Sequence, residues 1–410
     1  MPPAVTWFRP GAIIADVPVG LYLSVPFCRT KCTYCNFASD VFSQALFDRY
    51  LKRICADLEG ASAIAKRMGG RFEPTVDSIY LGGGTPSLLD IAQLERLFVT
   101  ISQNFSVLPG AEVTVECAPG TLNPSLLVAL QRCGVNRVSL GVQSFVDREA
   151  ASVGRLHTRQ AVLDDIAHLR AAGIANINLD LIAGLPHQTG ESWEVSLEET
   201  VAAETPHVSV YLLEVDQDSR LGRELIAGGT RYHAHFVPGD DLAADMYSTA
   251  CERLESAGIP QYEISNFARN GFQSRHNLKY WTRQPYMGFG VDAHSMLPAE
   301  HGGTDSVRYS TPDSLEGYLA NGQLTQVSIN RPAALEETFF LGLRLNRGLD
   351  LRGMARQFGD AGVSPHLAAV EELTADGLLL RQGDGISLTP RGRLLSNEVF
   401  ARFLTQPQES

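Results

Sequence analysis

Short runs of β-branched and other apolar residues alternate with longer amphipathic segments through the first half of the chain. We predict six strands there, each followed by a helix, at Gly20–Val25, Val76–Leu81, Glu112–Glu116, Arg137–Leu140, Ile177–Ile182 and His207–Leu212. A strand that returns to the same sheet after a helix pairs in parallel through a right-handed crossover. The first half of the chain is therefore predicted to be a parallel α/β structure, either a doubly wound sheet or a barrel.

Polar or glycine-rich segments stand at or just beyond the ends of several predicted strands. Gly82–Thr85 follow the second strand, Glu116 ends the third, Gln143 follows the fourth, and Asp180 lies near the end of the fifth. In a TIM-like barrel the site residues gather at the carboxyl ends of many strands. This distribution favours a partial barrel of six strand–helix units over a doubly wound sheet.

The pattern changes beyond about residue 230. Asp240–Ala257 reads as one helix and is followed by turn-rich sequence, whereas Glu336–Leu404 reads as helix, strand, turn, strand and helix, the order of a winged helix. We predict a partial barrel over 1–230, a linking region over 231–335, and a mainly α, winged-helix-like domain over 336–410.

Composition narrows the function classes. The chain has 410 residues and a net charge of −12, so it is a poor electrostatic partner for nucleic acid. Its seven cysteines are an odd number, which disfavours a disulfide framework and fits a reducing compartment. The N-terminus lacks a secretory signal pattern, and no apolar run is long enough to cross a membrane. We therefore expect a cytoplasmic protein.

Three of those cysteines, Cys28, Cys32 and Cys35, form C-x3-C-x2-C directly after the first predicted strand. A disulfide would leave one thiol unpaired, and a structural zinc site needs a fourth Cys or His, of which the nearest histidine in sequence is His157. Three thiolates on one polar loop can instead hold an iron–sulfur cluster with one iron open to an external ligand. The pattern favours the cluster over zinc. The isolated cysteines are interpreted as small buried hydrophobes: Cys55, Cys117, Cys133 and Cys251.

The cysteine spacing resembles that of the radical S-adenosylmethionine (SAM) superfamily. Further segments resemble, in order, the oxygen-independent coproporphyrinogen III oxidase-like family, and best its heme-chaperone branch, HemW: YLSVPFC, GGGTPS, VECAPG, LGVQSF, GRLHT, NLDLIAGLP, YEISNFA and RHNLKYW. The resemblance spans nearly the whole chain. It implies a [4Fe–4S] cluster on three cysteines, with SAM on the open iron, where electron transfer can split SAM to a deoxyadenosyl radical.

The resemblance also implies which residues contact SAM. Gly83, Gly84 and Thr85 match the stretch beside the methionine amino group. The remaining matches are two aromatic and four polar positions: Tyr22, Tyr34, Glu116, Gln143, Arg155 and Asp180. Carboxylates can accept hydrogen bonds from ribose hydroxyls, and an arginine can hold a carboxylate with two bonds. Taken singly, the glycines more often mark a tight turn, each polar residue is more often a solvated or paired side chain, and Tyr22 is as readily an ordinary strand aromatic. We assign none of them a catalytic role.

Three features bear on the choice between enzyme and chaperone. The oxidase branch has a further cysteine two residues after the third, where this chain has Phe37, and it has a longer stretch before the cluster than the 27 residues found here. His276–Trp281 reads HNLKYW and resembles the HNxxYW motif of the heme-chaperone branch. A neutral imidazole is a good axial ligand for heme iron, and flat aromatic rings suit the macrocycle. His294 matches a position of the same branch, and we assign it no role.

We therefore predict a heme chaperone that binds heme through His276 and transfers it to apo-hemoproteins. The alternative is an oxygen-independent coproporphyrinogen III oxidase that forms protoporphyrinogen IX by radical decarboxylation, and a third reading is radical modification of heme. The resemblance leads us to expect a homodimer, and service to respiratory hemoproteins would bring peripheral membrane contact. If the motif stood alone, a surface histidine beside packing aromatics would be the better explanation, and the family resemblance reverses that preference.

Overall fold

The computed structural model of the protein describes residues 17–41, 43–320 and 322–404. Most of the N-terminal residues behind the prediction of no secretory signal lie outside the described residues. So do the outer limits of the first and last predicted regions. Two sheets are present in the described part, one of twelve strands and one of three. No helix in this part of the chain is long and apolar enough to span a bilayer.

The first six strands of the large sheet are parallel and adjacent in chain order. They are β1 (Val19–Ser24), β2 (Thr75–Gly82), β3 (Ser106–Cys117), β4 (Arg137–Gln143), β5 (Asn176–Ala183) and β6 (His207–Leu212). The predicted α/β, partial-barrel fold class is confirmed. The predicted strands differ mainly at β3, which begins six residues earlier, and at β4, which continues to Gln143.

Helices connect these strands along the chain. They are α1 (Gln44–Glu59), α2 (Ala61–Arg67), α3 (Ile91–Asn104), α4 (Pro124–Arg132), α5 (Asp147–Ser152), α6 (Arg159–Ala171), α7 (Gly190–Ala202), α8 (Arg220–Ala227) and α9 (Asp240–Ser256). Local sequence explains where several begin. The Asp90 side chain accepts a hydrogen bond from the backbone N–H of Gln93, whose side chain bonds back to Asp90, so a capping box starts α3.

The region predicted to be turn-rich contains six short strands that extend the large sheet at both edges. They are β7 (Gln261–Glu263), β8 (Asn266–Ala268), β9 (Tyr286–Phe289), β10 (His294–Pro298), β11 (Ser306–Ser310) and β12 (Thr325–Ile329), with helices α10 (Arg275–Trp281) and α11 (Leu315–Leu319) between them. The full strand order is β12-β11-β10-β9-β1-β2-β3-β4-β5-β6-β8-β7. The sequence prediction missed these strands because runs of three to five residues carry too little periodicity to be distinguished from turns.

The C-terminal module is mainly helical and has its own apolar core. It comprises α12 (Arg331–Gly342), β13 (Leu349–Asp350), α13 (Leu351–Phe358), α14 (Asp360–Val363), α15 (Leu367–Ala375), β14 (Leu379–Gln382), β15 (Gly385–Leu388), α16 (Pro390–Leu394) and α17 (Ser396–Ala401). The predicted last helix is divided at Leu395, whose backbone leaves helical geometry. The boundary predicted between residues 335 and 336 falls inside α12, and the domain limits stay predictions.

The two faces of the parallel strands differ in chemistry. Side chains alternate between the faces of a strand. One face packs in the main apolar core and includes Leu21, Leu23, Ile79, Leu81, Val113, Val115, Val138, Leu140, Leu179 and Val208. The intervening positions are largely polar and include Tyr22, Ser78, Tyr80, Glu112, Glu116, Arg137, Ser139, Asp180, His207 and Ser209. The barrel interior is therefore a polar chamber, and the apolar core lies outside it beneath the helices.

Candidate functional site

The loop between β1 and α1 carries the three predicted cluster cysteines and is fixed by backbone contacts. The N–H of Cys28 donates to the carbonyl of Asp40 at 3.0 Å, which closes the base of the loop. The N–H of Thr33 donates to the carbonyl of Val153 at 3.1 Å, which ties the loop to the turn after α5. The cysteines are therefore held at the carboxyl end of the barrel, as the sequence predicts.

All three thiols are free and partly buried. Cys28 Sγ lies 3.8 Å from Thr85 Oγ1, and Cys35 Sγ lies 3.7 Å from Ser39 Oγ. Within the described residues, no three Cys, His, Asp or Glu side chains converge on the position of a single metal ion. A [4Fe–4S] cube binds its cysteines on separate irons, so its ligands surround a larger volume than one ion occupies. The donor set of three thiols on one loop fits such a cluster.

The predicted glycine segment packs directly against the cysteine loop. A Cβ on Gly84 would lie 2.5 Å from the carbonyl oxygen of Val25, and Gly83 has a φ of +90°. The N–H of Thr85 donates to the carbonyl of Phe27 at 2.8 Å. Gly84 needs to be glycine because neighbouring backbone occupies the space of a side chain, and Gly83 because of its positive φ. The segment and the cysteine loop thus form one backbone unit.

Glu116 on β3 reaches the same segment. Its carboxylate accepts hydrogen bonds from Tyr80 Oη at 2.9 Å and from the N–H of Gly83 at 3.2 Å. A Cβ on Gly82 would lie 2.7 Å from Glu116 Oε1, so the glycine leaves room for the carboxylate. Burial raises the pKa of Glu116 to about 7, and the nearby charge of Asp180 acts in the same direction.

Arg155 lies in the turn after α5 and points its guanidinium toward β4. A Cβ on Gly141 would lie 2.5 Å from Arg155 Nη2 and 3.1 Å from the side-chain nitrogen of Gln143, whose φ is +67°. Burial alone lowers the pKa of Arg155, but Tyr34, the cluster thiols and Asp180 outweigh it and raise the pKa. Arg155 Nε is buried and has no hydrogen-bond partner among the described residues. A buried, charged N–H group without a partner is suited to bind the carboxylate of a ligand.

Asp180 and the two predicted tyrosines, Tyr22 and Tyr34, have separate neighbours in the site. Asp180 accepts hydrogen bonds from Ser139 Oγ at 2.9 Å and from Asn178 Nδ2 at 2.7 Å, and burial raises its pKa. The ring of Tyr22 lies 6.2 Å from that of Tyr80, and Tyr34 packs against a small apolar cluster beside the cysteine loop. The structure thus brings all the predicted SAM-contacting positions to the carboxyl half of the barrel.

The predicted heme-binding motif lies toward the amino-terminal end, where the His276 ring is 6.5 Å from that of Tyr22. Helix α10 crosses the amino-terminal ends of the parallel strands, where Glu112 accepts hydrogen bonds from the N–H groups of Arg275 and His276 at 3.0 Å each. Lys279 is 2% exposed, and its Nζ lies 2.7 Å from Asp77 Oδ1 and donates to the carbonyl of Pro18 at 2.7 Å. The helix therefore closes the floor of the chamber.

His276 is 1% exposed, and both of its ring nitrogens have partners. Nδ1 lies 3.0 Å from Ser78 Oγ, and Nε2 lies 2.8 Å from Tyr280 Oη. Burial, followed by the charges of Lys279 and Arg137, lowers the pKa of His276 to about 3, so the imidazole is neutral at physiological pH. The sequence identified a histidine of the right charge state but did not predict its burial.

The other motif aromatics and His294 have separate surroundings. Arg344 lies over the Trp281 ring, with its Cζ 4.2 Å from the ring centroid, and Tyr280 packs edge-on against Tyr286. His294 is exposed on β10, with Nε2 3.8 Å from Asp292 Oδ1. His294 makes no hydrogen bond or ring contact with His276 or the cysteine loop among the described residues, and the structure gives His294 no role.

Several polar residues of the chamber were missed in the sequence. Tyr80 binds Glu116, and Ser139 and Asn178 bind Asp180, while Arg137 is 1% exposed with Nε and Nη1 lacking hydrogen-bond partners in the described part of the chain. The signal that could have found them is the alternation of polar and apolar residues along each strand, which predicts one polar face.

The cysteine loop, glycine segment and parallel barrel together define a radical SAM protein, and sequence comparison agrees. The family profile described as "Radical SAM superfamily" matches residues 22–200, and that described as "HemN C-terminal domain" matches residues 329–395. A solved structure of coproporphyrinogen III oxidase (HemN) from Escherichia coli, described as a radical SAM enzyme, has a TM-score of 0.79 at 24% identity, covering 94% of this chain and 90% of that chain. This likeness shows the shared fold.

Curated relatives are similar over nearly the full length. The protein named "Heme chaperone HemW" of Bacillus subtilis is 33% identical over 389 residues, which cover 93% of this chain and 98% of the relative. Its namesake in Lactococcus lactis is 32% identical over 94% of this chain and 97% of the relative. The chain belongs to the heme chaperone HemW family, as predicted. Its place in the radical SAM superfamily implies a [4Fe–4S] cluster and SAM.

Proposed function

We propose that the protein binds heme and transfers it to apo-hemoproteins, with a SAM-ligated [4Fe–4S] cluster at the carboxyl end of its barrel. The near-full-length similarity to relatives named heme chaperone HemW carries this proposal. Phe37 supports it, because the residue stands where the oxidase branch has a further cysteine and a phenyl ring has no donor atom for iron.

Cys28, Cys32 and Cys35 would hold three irons of the cluster, and the bound cluster with SAM supplies one-electron chemistry. The chain's own residues bind and orient the cofactor. Arg155, with its unpartnered buried Nε, would hold the SAM carboxylate, while the glycine segment admits the ligand next to backbone. The remaining predicted contacts supply acceptors, donors and aromatic faces around it: Tyr22, Tyr34, Thr85, Glu116, Gln143 and Asp180.

His276 is the proposed axial ligand of heme, and the structure adds a condition to that role. Heme iron needs a free ring nitrogen, but Nε2 bonds Tyr280 Oη and Nδ1 bonds Ser78 Oγ. Ligation therefore requires α10 to leave the floor of the chamber, or at least requires Tyr280 to release Nε2. We expect heme association to be slow and limited by this rearrangement, since binding that needs a conformational change has a reduced on-rate.

The test is an anaerobic heme titration of the cluster-loaded protein, followed by absorbance. We expect one heme per chain in the wild type, loss of the ligated spectrum in His276→Ala, and faster association in Tyr280→Phe, which frees Nε2. The matched control is His207→Ala, because His207 is equally buried, with its ring nitrogens bonded to Asn178 and Tyr262, yet lies outside the motif. An unchanged heme spectrum in His276→Ala would remove His276 as the ligand.

The oxidase alternative has a separate test. Coproporphyrinogen III, SAM and a reductant are incubated anaerobically with the reconstituted protein, and porphyrinogen products are quantified. We expect no protoporphyrinogen IX above the level of a cluster-free control. Turnover above that level would replace the chaperone proposal with radical decarboxylation.

The finer parts of the proposal concern location and assembly. All seven cysteines lie in the described residues and none forms a disulfide, which supports a reducing compartment such as the cytoplasm. A homodimer, peripheral contact with a membrane, and apo-hemoproteins as recipients are proposed from the family resemblance. Sedimentation of the purified protein and co-isolation with membrane vesicles would test the first two.

A further inference from the structure

A second cavity lies away from both ends of the barrel. It has a volume of about 310 Å³ and lies between α1 and α2 on one side and strands β9 and β11 on the other. It shares no lining residue with the cysteine loop, the glycine segment or α10. Its size is at the lower limit of small-molecule sites, which are roughly 300–1,000 Å³.

The inner surface combines apolar and polar side chains. Met287, Phe289 and Leu324 contribute apolar surface, and Tyr309 on β11 lines the same space. Tyr309 is 3% exposed, and its Oη makes no hydrogen bond of good geometry in the described residues, its polar neighbour being the hydroxyl of Ser295. A buried hydroxyl left in this state costs about 1–3 kcal/mol, so a ligand group that bonds it is favoured.

The charged groups of the cavity leave one positive charge unmatched. Arg53 Nε pairs with Asp57 Oδ1 at 3.0 Å, and Tyr318 Oη donates to Asp57 Oδ2 at 2.6 Å, so these charges offset each other. Arg67 also lines the cavity, is exposed, and has no ion pair or hydrogen bond with a described residue. An arginine in this position favours a carboxylate, which it can hold with two hydrogen bonds.

We propose that this cavity binds a small carboxylate with a flat apolar body and a second polar group. The carboxylate would pair with Arg67, the body would pack on Met287 and Phe289, and the polar group would bond Tyr309 Oη. This site is independent of the heme-chaperone proposal, because none of its residues belongs to that machinery.

The probe is 4-hydroxybenzoate, titrated calorimetrically into the full-length protein without heme. We expect saturable binding, weakened about fivefold or more in Arg67→Gln, since a charge-assisted pair is lost. Tyr309→Phe should weaken 4-hydroxybenzoate but leave benzoate, which lacks the second polar group, unchanged. Lys66→Gln is the matched control, because Lys66 is an exposed neighbour on α2 that does not line the cavity.

Three outcomes would overturn the proposal: no heat of binding at millimolar probe, equal binding by 4-hydroxybenzyl alcohol, which lacks the carboxylate, or equal loss in Lys66→Gln and Arg67→Gln. Circular dichroism of each variant verifies folding. Heme titration of Arg67→Gln should match the wild type, so failure of this site and failure of the heme proposal give different results.

Discussion

The two residues proposed to bind ligands directly at either end of the barrel, Arg155 and His276, differ in their hydrogen bonding. At the carboxyl end, three thiols are free, glycines leave space against backbone, and Arg155 Nε has no partner in the described structure. At the amino end, α10 closes the chamber and both nitrogens of His276 are bonded, although Arg137 Nε and Nη1 lack partners among the described residues. Unused hydrogen-bonding capacity is typical of a ligand site, whereas complete pairing is typical of a structural one. Arg155 thus has a free donor for the proposed SAM carboxylate, whereas His276 would have to lose a hydrogen bond before it could bind heme.

The largest expected effect is at the carboxyl end. Cys32→Ser removes one of the three proposed thiolate ligands, and we expect anaerobically reconstituted protein to lose its iron, its sulfide and its brown absorbance. Cys133→Ser is the control, because Cys133 packs beside the main core away from the loop and should leave the cluster intact. Retention of a full complement of iron and sulfide in Cys32→Ser would contradict the ligand assignment.

At the amino end, loss of His276 should act on folding as well as on heme. His276→Ala removes a buried ring and two hydrogen bonds, which should lower the free energy of unfolding by about 2–4 kcal/mol. Urea titration of the heme-free protein measures it. A change below about 0.5 kcal/mol, the scale of a surface substitution, would show that α10 is not a structural floor.

Glu116 allows the carboxyl end to be tested by pH. Burial raises its pKa to about 7 from an ordinary 4.5, so between these values the folded chain keeps a proton that the unfolded chain has lost. The wild type should therefore lose about 1.4 kcal/mol of stability per pH unit as pH rises from 4.5 to 7, relative to Glu116→Gln. Urea titrations of both proteins, without SAM, measure the difference. A difference that is flat with pH would mean that Glu116 is ionised throughout this window.

His276 should make the free energy of unfolding depend on pH in the opposite direction to Glu116, over the narrower range from pH 5 to 6.5. Its pKa is about 3 when folded and 6.5 ordinarily, so below pH 6.5 the unfolded chain binds a proton that the folded chain does not. Wild-type stability relative to His276→Gln should fall by about 1.4 kcal/mol per unit as pH decreases from 6.5 toward 5. Paired urea titrations at three pH values would show this slope, and its absence would mean that the folded imidazole is accessible to protons.

The parallel strands and the carboxyl-end site could be predicted because each depends on residues that are close together in the sequence. Cys28, the glycines and Arg155 follow strand ends, where a parallel barrel gathers its site residues. The closed floor could not be predicted this way. Ser78 and His276 are 198 residues apart in sequence, and only the folded sheet brings them within hydrogen-bond distance. The short strands β7–β12 were missed because their pairing depends on the edges of a sheet that is already formed.

The hydrogen bond from Lys279 to the carbonyl of Pro18 connects α10 to the residue just before β1. Pro18 directly precedes β1, and Cys28 follows four residues after that strand ends. Strand β1 has six residues and is roughly 20 Å long. It therefore connects the end of the barrel at α10, which carries the proposed heme ligand, to the cysteine loop. If heme binding displaces α10 as proposed, we expect β1 and the cysteine loop to be perturbed with it, and the absorbance of a reconstituted cluster to change when heme is added.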